Sequence, residues 1–214
     1  MKRSDVEAAI VPHPAWRQLA HLSRWQVVRC ELPRSVASHC FYVCLYAEHL
    51  IRLLELDTED AFTLLRACIN HDLAESITGD VPTPVKRWMG WDDAKADELV
   101  ENLTGAVLQV PLSPHLKYFL KIVDQLEAVV HLTSERNNGN AHVLTPLAEL
   151  RGILMTVAHN APPEAISSWE THYGRPWPTD IQWWVNATLS KEDQWRGTSF
   201  ANSNPDSLKV VEVQ

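Results

Sequence analysis

Along most of this chain apolar residues return every three or four positions, the spacing of helices that bury one face. Pro14 is suited to the first turn of a helix carrying Trp16, Leu19, Leu22 and Trp25. The stretch "RWQVVRCELPRS" breaks the rhythm, and Ser35 is placed to cap a second helix running to about residue 56. Its apolar positions (Val36, Phe41, Val43, Leu45, Leu50, Leu53, Leu54) are too widely spread for one stripe, which predicts a central helix buried on several sides. Asp57-Thr58 closes that helix and caps the next, which carries Phe62, Leu65 and Ile69 and should stop near Gly79. Pro82 and Pro84 predict a loop over "TGDVPTPVK". An exposed helix follows over residues 92–110, then a long one through "HLKYFLKIVDQLEAVVHLT", with Leu116, Phe119, Leu120, Val123, Leu126 and Val130 on its apolar side. Further helices are expected over 145–159, after Pro162 or Pro163, and through "TDIQWWVNATL". The pattern shows no repeat and no domain boundary. It predicts one all-α domain over residues 1–190, with 1–13 as a lead-in and 191–214 as a polar tail.

Composition narrows the function. The chain has 214 residues, enough for one domain with a substantial core, and only 7 glycines, which argues against a dinucleotide fold or a P-loop. A formal net charge of −8 disfavours nucleic acid as a partner, because such binding depends on neutralising phosphates. The sequence holds neither a signal segment nor an apolar run of membrane length, and its four cysteines (30, 40, 44, 68) form no CxxC pair, so a reduced, cytoplasmic setting is expected. Cys40 and Cys44 share a helix face and read as buried thiols rather than ligands.

The chemistry is carried by polar residues in apolar places. Asp124 lies inside "FLKIVDQLEAVV", where a carboxylate is costly unless it is paired, hydrogen-bonded or bound to metal. His39 lies on the second helix, and His71 and Asp72 lie side by side on the third. Imidazoles and carboxylates together suit a divalent transition metal with positions open to water and substrate. On a regular helix His71 and Asp72 point about 100° apart, so a shared ion would need its other ligands from neighbouring helices. Glu75 follows His71 by four residues and Asp72 by three, on the same side one turn on, where a general acid or base could act. Taken singly, each has an ordinary reading: a satisfied core histidine, a carboxylate paired with arginine, a solvated glutamate, a turn aspartate at Asp80.

In combination these residues resemble a known family. "SRWQVVRCELPRSVASH" (Ser23 to His39), "HDLAESITGDVPTPVK" (His71 to Lys86) and "KIVDQLEA" (Lys121 to Ala128) resemble the HD-domain phosphohydrolase superfamily, and within it the 5′-deoxynucleotidase branch and its phage dATP triphosphohydrolase-like relatives. The resemblance covers roughly residues 16–130. It implies packed helices around one divalent metal (Co, Mn, Zn, Fe or Ni) held by His39, His71, Asp72 and Asp124. It further implies that Glu75 activates the attacking water or relays a proton for it, that Asp80 sits near the scissile phosphate or a bridging water, and that Arg24, Trp25 and Lys86 contact the nucleotide. Ser38 departs from the pattern, since the family often places Glu before the first His.

The resemblance predicts a hydrolase of 2′-deoxynucleotides. The 5′-monophosphates come first, with a deoxynucleoside triphosphatase releasing triphosphate, with additional Mg, as the alternative. The other alternative is a binding module that has lost the chemistry, but such a module would be expected to lack a ligand or Glu75. The expected partners are a small-molecule deoxynucleotide and further copies of the chain, without membrane or nucleic acid.

Overall fold

The structure, a computed structural model, describes residues 13–195 apart from 106, 107 and 109. The lead-in before residue 13 and the end of the predicted tail lie outside the described residues. A 3₁₀ helix, Pro14–Ala20, is followed by α1 (Val36–Leu54), α2 (Thr58–Asn70), α3 (Glu75–Thr78), α4 (Thr83–Met89), α5 (Asp93–Thr104), α6 (Pro114–Asn137), a 3₁₀ turn at Ala141–Val143, α7 (Leu144–His159), α8 (Pro163–Tyr173) and α9 (Asp180–Gln194). The described residues contain no strand, in keeping with the all-α expectation. None of their helices is long and apolar enough to cross a membrane.

Helix starts follow local chemistry. Ser35 accepts the Ser38 amide at α1, Asp57 accepts that of Asp60 at α2, and Ser113 accepts that of Leu116 at α6, which relieves amides left unpaired in each first turn. Pro114 and Pro163 occupy first turns, where the missing N–H costs nothing.

Helix α6 is the axle. It packs against α1, α2, α7, α8 and α9. Phe119, Ile122, Val123, Leu126, Val129 and Leu132 are fully buried on it, and they meet Val43 and Leu50 of α1, Leu64 of α2, Leu154 of α7, Trp169 of α8 and Val185 of α9. Each such side chain contributes on the order of 1.5–3 kcal/mol of burial. A second cluster, Leu19, Val36, Cys40, Leu73, Ala74, Val100 and Leu108, lies under the 3₁₀ helix, α3 and α5. It fixes the segment after α2 in place.

Several expectations need correction. The first helix is a single 3₁₀ stretch ending at Ala20, and Leu22 and Trp25 lie beyond it, because residues 22–25 extend alongside 34–36. Helix α1 is central on one side only: Phe41 and Leu45 face outward at 59% and 41% exposure. Helix α2 ends at Asn70 rather than near Gly79. The "PTPVK" portion is helical, since Pro82 and Pro84 flank a helix start rather than forbid one. Helix α5 stops at Gly105, whose φ of 70° lies in the left-handed region that glycine enters freely. Helix α9 continues through Gln194, past the predicted tail boundary at 190.

Candidate metal centre and active-site cleft

Where α2 gives way, the chain turns through His71–Ala74 in bonds that join residues three apart, Leu73 N–H to the Asn70 carbonyl and Glu75 N–H to the Asp72 carbonyl. Leu73 and Ala74, buried in the second cluster, hold this turn. It presents His71 and Asp72 toward α1 and α6 together, which a continuous helix would oppose. Gly79, at φ 76°, then ends α3.

Three of the predicted ligands, His39, His71 and Asp124, form one group here, and Asp72 stands beside it, next to His39 and His71. His39 Nε2 lies 3.2 Å from His71 Nε2 and 3.1 Å from Asp124 Oδ1, and His71 Nε2 is 3.8 Å from the same oxygen. Asp72 Oδ2 is 3.6 Å from His39 Nε2 and 3.4 Å from His71 Nε2. Ligands about 2.1 Å from a common ion stand roughly 3.0–3.4 Å apart, so these separations are close to the edges of a coordination shell. The rings are aimed from behind. His71 Nδ1–H donates to the Cys68 carbonyl at 2.8 Å, and His39 Nδ1–H donates to Glu127 Oε2 at 2.5 Å. Both Nε2 lone pairs therefore face each other and two carboxylates, an arrangement that calls for a cation or a proton in their midst. The donor set fits a divalent transition metal.

Electrostatics describe the same demand. Burial alone would lower the His39 pKa, but the hydrogen bonds to Asp124 and Glu127 outweigh it and hold the ring up to about 9. Burial would raise Asp124, but the His39 hydrogen bond and the charges of His71, His39 and Arg24 keep its carboxyl well below the usual range. Cys40 also approaches His71 and Asp72, but burial, with Asp72 adding to it, pushes its thiol far up, which leaves it a poor ligand. Among the described residues all four cysteines are free thiols, as the sequence suggested.

Beside the cluster opens a cleft of about 290 Å³ lined by His71, Asp72, Glu75, Thr78, Gly79, Val81, Lys86, Trp91, Asp93, Asp97 and Asp124. Glu75 is 8% exposed, and its Oε2 has no hydrogen-bond partner among the described residues. Burial, then Asp72 and Asp80, push its carboxyl up to about 8 against the pull of Arg24 and Lys86, into the range where a proton carrier works near neutrality. Lys86 reaches the rim from α4 and is held by Asp93 at 3.1 Å.

The remaining predicted residues stand around this cleft. Arg24 Nη1 binds Asp72 Oδ2 at 2.6 Å. Burial drives the Asp80 carboxyl upward, while its backbone carbonyl accepts from Gln26. Trp25 is not in the cleft wall. Its ring stacks on His131, with centroids 6.0 Å apart, and its φ of 64° is unusual for a residue with a side chain. Ser38, the departure from the family pattern, donates to the Ser35 carbonyl at the α1 cap.

Sequence reasoning missed two buried carboxylates of α6, Glu127 and Glu135. Glu135 is fully buried and accepts the amides of Glu31 and Leu32 at 2.8 and 2.6 Å, with Asn140 at 2.7 Å. It pins the segment that carries Arg34. The signal was present: both interrupt the apolar side of α6 as Asp124 does.

A model of the 5′-deoxynucleotidase YfbR-like family matches residues 14–91. Among curated proteins, the chain is 30% identical over 122 residues to a dATP triphosphohydrolase of Cyanophage S-2L, covering 53% of this chain and 65% of that protein. It is 34% identical over 126 residues to the dATP triphosphohydrolase of Acinetobacter phage SH-Ab 15497, covering 52% and 61%. A 5′-deoxynucleotidase of Shewanella oneidensis is 25% identical over 152 residues, covering 62% and 78%. The chain thus spans less than two thirds of the length of the two phage relatives. Among solved structures, the Cyanophage S-2L HD phosphohydrolase DatZ, bound to dA and one catalytic Zn²⁺ ion, shares the fold with a TM-score of 0.62 at 19% identity, over 87% of this chain and 98% of that one. The His-Asp turn, the helical fold and these relatives agree in likening the chain to the HD-domain phosphohydrolases.

Proposed function

We propose that this chain is a metal-dependent phosphohydrolase of 2′-deoxynucleotides, acting on 5′-monophosphates to release deoxynucleoside and phosphate. The observation that carries the reading is the convergence of His39, His71, Asp72 and Asp124 beside a cleft that contains a buried, unpartnered carboxylate at Glu75. These four would hold the ion. When bound, a divalent metal would polarise a phosphoryl oxygen and make water a stronger nucleophile near neutral pH.

The chain's own residues do the rest. Glu75 takes a proton from the attacking water and delivers one to the departing 5′ oxygen, work for which a carboxyl titrating near neutrality is suited. Arg24 keeps Asp72 oriented through their 2.6 Å pair. Lys86, at the rim, offers an ammonium to a phosphate that displaces Asp93. Asp80 adds negative charge beside Glu75 and so keeps its proton available. Trp25, next to Arg24 in the segment 22–36, stacks its ring on His131.

A second reading, hydrolysis of a deoxynucleoside triphosphate to triphosphate with additional Mg, is favoured by the names of the two phage relatives. The acidic rim, Asp93 and Asp97, supports the monophosphate, which brings less negative charge into the cleft. An oligomer also belongs to this proposal. Phe41, Leu45, Phe62 and Ile69 leave apolar area exposed on α1 and α2, where a second copy could pack. The C-terminal tryptophans contribute less to such a face, since Trp177 and Trp184 pack against the core and Trp183 is exposed.

The test is product identification by chromatography after the Co²⁺- or Mn²⁺-loaded chain is incubated with dAMP, dATP and their ribose counterparts. Phosphate from dAMP is expected. Triphosphate from dATP would establish the second reading, and no product from either with metal bound would overturn both.

A further inference from the structure

Glu127 has no part in the reaction described above, yet it is 2% exposed and lies directly behind a ligand. Its Oε2 accepts His39 Nδ1–H at 2.5 Å, and its Oε1 faces Arg34 Nη1 at 3.3 Å. Arg34 is itself confined. Its guanidinium lies 4.5 Å from the centre of the Tyr42 ring and donates to His131 Nδ1 at 3.2–3.3 Å. Its backbone carbonyl accepts the Arg24 amide at 2.8 Å, and Glu135 pins the chain just before it.

A buried ion pair of this kind is a weak source of stability, since an apolar pair of similar volume would serve α6 about as well. What the carboxylate adds lies at the other end of its hydrogen bond. A neutral imidazole carries its proton on either nitrogen, and only one tautomer leaves Nε2 free to ligate. A carboxylate behind Nδ1 selects that tautomer, fixes the ring plane and makes Nε2 a better donor to metal. His71 is backed only by a neutral carbonyl, that of Cys68.

We propose that Glu127, held in place by Arg34, is the positioning residue for His39: it fixes the ring so that its Nε2 meets the ion in a preformed shell. This rests on the reading of His39 as a metal ligand. It also links the two sides of the site, because the segment between the 3₁₀ helix and α1 that supplies Arg34 also supplies Arg24, the partner of Asp72.

The experiment is Zn²⁺ and Co²⁺ affinity by chelator competition, with the visible spectrum of the Co²⁺ form, for the full chain and for Glu127→Gln, Glu127→Asp and His39→Ala. Circular dichroism of the metal-free proteins reports folding. Glu127→Gln should weaken both metals roughly 10–100-fold and shift the Co²⁺ bands while helicity stays. Glu127→Asp, which keeps charge but draws the carboxylate back, should weaken them by about 3–10-fold and remains informative if the glutamine variant does not fold. Affinities within about twofold of the unsubstituted chain, with unchanged spectra, would overturn the proposal. Full affinity in His39→Ala would instead overturn the reading of His39 as a ligand, which separates the two failures.

Discussion

Helix α6 carries two histidine–carboxylate clusters, and they differ in one respect. Around His115, in its first turn, every polar atom is used. His115 Nδ1 meets the Ser168 hydroxyl at 2.9 Å, and Nε2 meets Asp60 Oδ2 at 2.8 Å and the Ser113 hydroxyl at 3.1 Å. Tyr173 donates to the same Asp60 oxygen at 2.8 Å, and Phe119 and Trp169 pack over the ring. Around Asp124, farther along the helix, the two rings are anchored by their Nδ1 atoms and turn their Nε2 atoms on each other across 3.2 Å beside an open cleft. The first cluster is closed and needs nothing further. The second turns its Nε2 atoms and carboxylates on one another, an arrangement that a cation or a proton would complete. Residue types alone do not separate a structural histidine from a candidate ligand; what separates these two clusters is that the Nε2 atoms of one face each other and carboxylates beside an open cleft, while the ring of the other is enclosed by hydroxyls, a carboxylate and aromatic side chains.

Substitutions sharpen this contrast, beginning with the largest effect. Asp72→Ala should remove both metal retention and turnover, as elemental analysis and phosphate release would show; an active variant with full metal would break the assignment of the open cluster. Glu75→Gln should keep its metal while the rate falls roughly 10²–10⁴-fold. An unchanged rate would make Glu75 a structural residue. His115→Ala belongs to the closed cluster and should do the opposite. It should destabilise the chain by about 2–4 kcal/mol, through lost hydrogen bonds and a cavity, and leave metal affinity alone. Calorimetry beside metal titration checks both halves.

The smallest effect is at the rim of the closed cluster, where His172 pairs with Asp57 at 2.8 Å. The Asp57 carboxyl is lowered by the Asp60 amide and then by His172; His172 is raised by its hydrogen bond to Asp57, against burial. The Asp57 contribution is therefore present above about pH 4 and fades as pH falls, while that of His172 is complete below about pH 6.5 and fades as pH rises through its raised value. His172→Asn should cost most near about pH 5–6 and converge with the parent as pH rises past the raised His172 value, by melting temperature across pH. With side chains 42% and 46% exposed, the cost should stay under about 1 kcal/mol.

Much of this was legible in the sequence because it rests on local rules. Ser35 and Asp57 announce helix starts by their hydroxyl and carboxylate, and Asp124 stands out because a charge in an apolar stripe is costly. Other features depend on contacts distant in sequence. The break in α2 at His71 follows from Leu73 and Ala74 packing under the 3₁₀ helix, and no breaker residue marks it. The exposure of Phe41 depends on which faces of α1 its neighbours leave uncovered. Glu127 and Glu135 carry the same signal as Asp124, but their partners lie 88 and 104 residues away, so their roles could not be read along the chain.

Trp25 has a consequence for anyone who would redesign this protein. Its left-handed backbone, at φ 64°, stores strain of order 1–2 kcal/mol that glycine or asparagine would relieve. A procedure that ranks sequences by thermal robustness would therefore rewrite position 25 early. It would also delete the ring that rests on His131, and with it one wall of the network that reaches Arg34 and Glu127. Relief of the strained backbone and retention of the stack on His131 pull in opposite directions here, and a library meant to harden the fold should leave Trp25 as it stands.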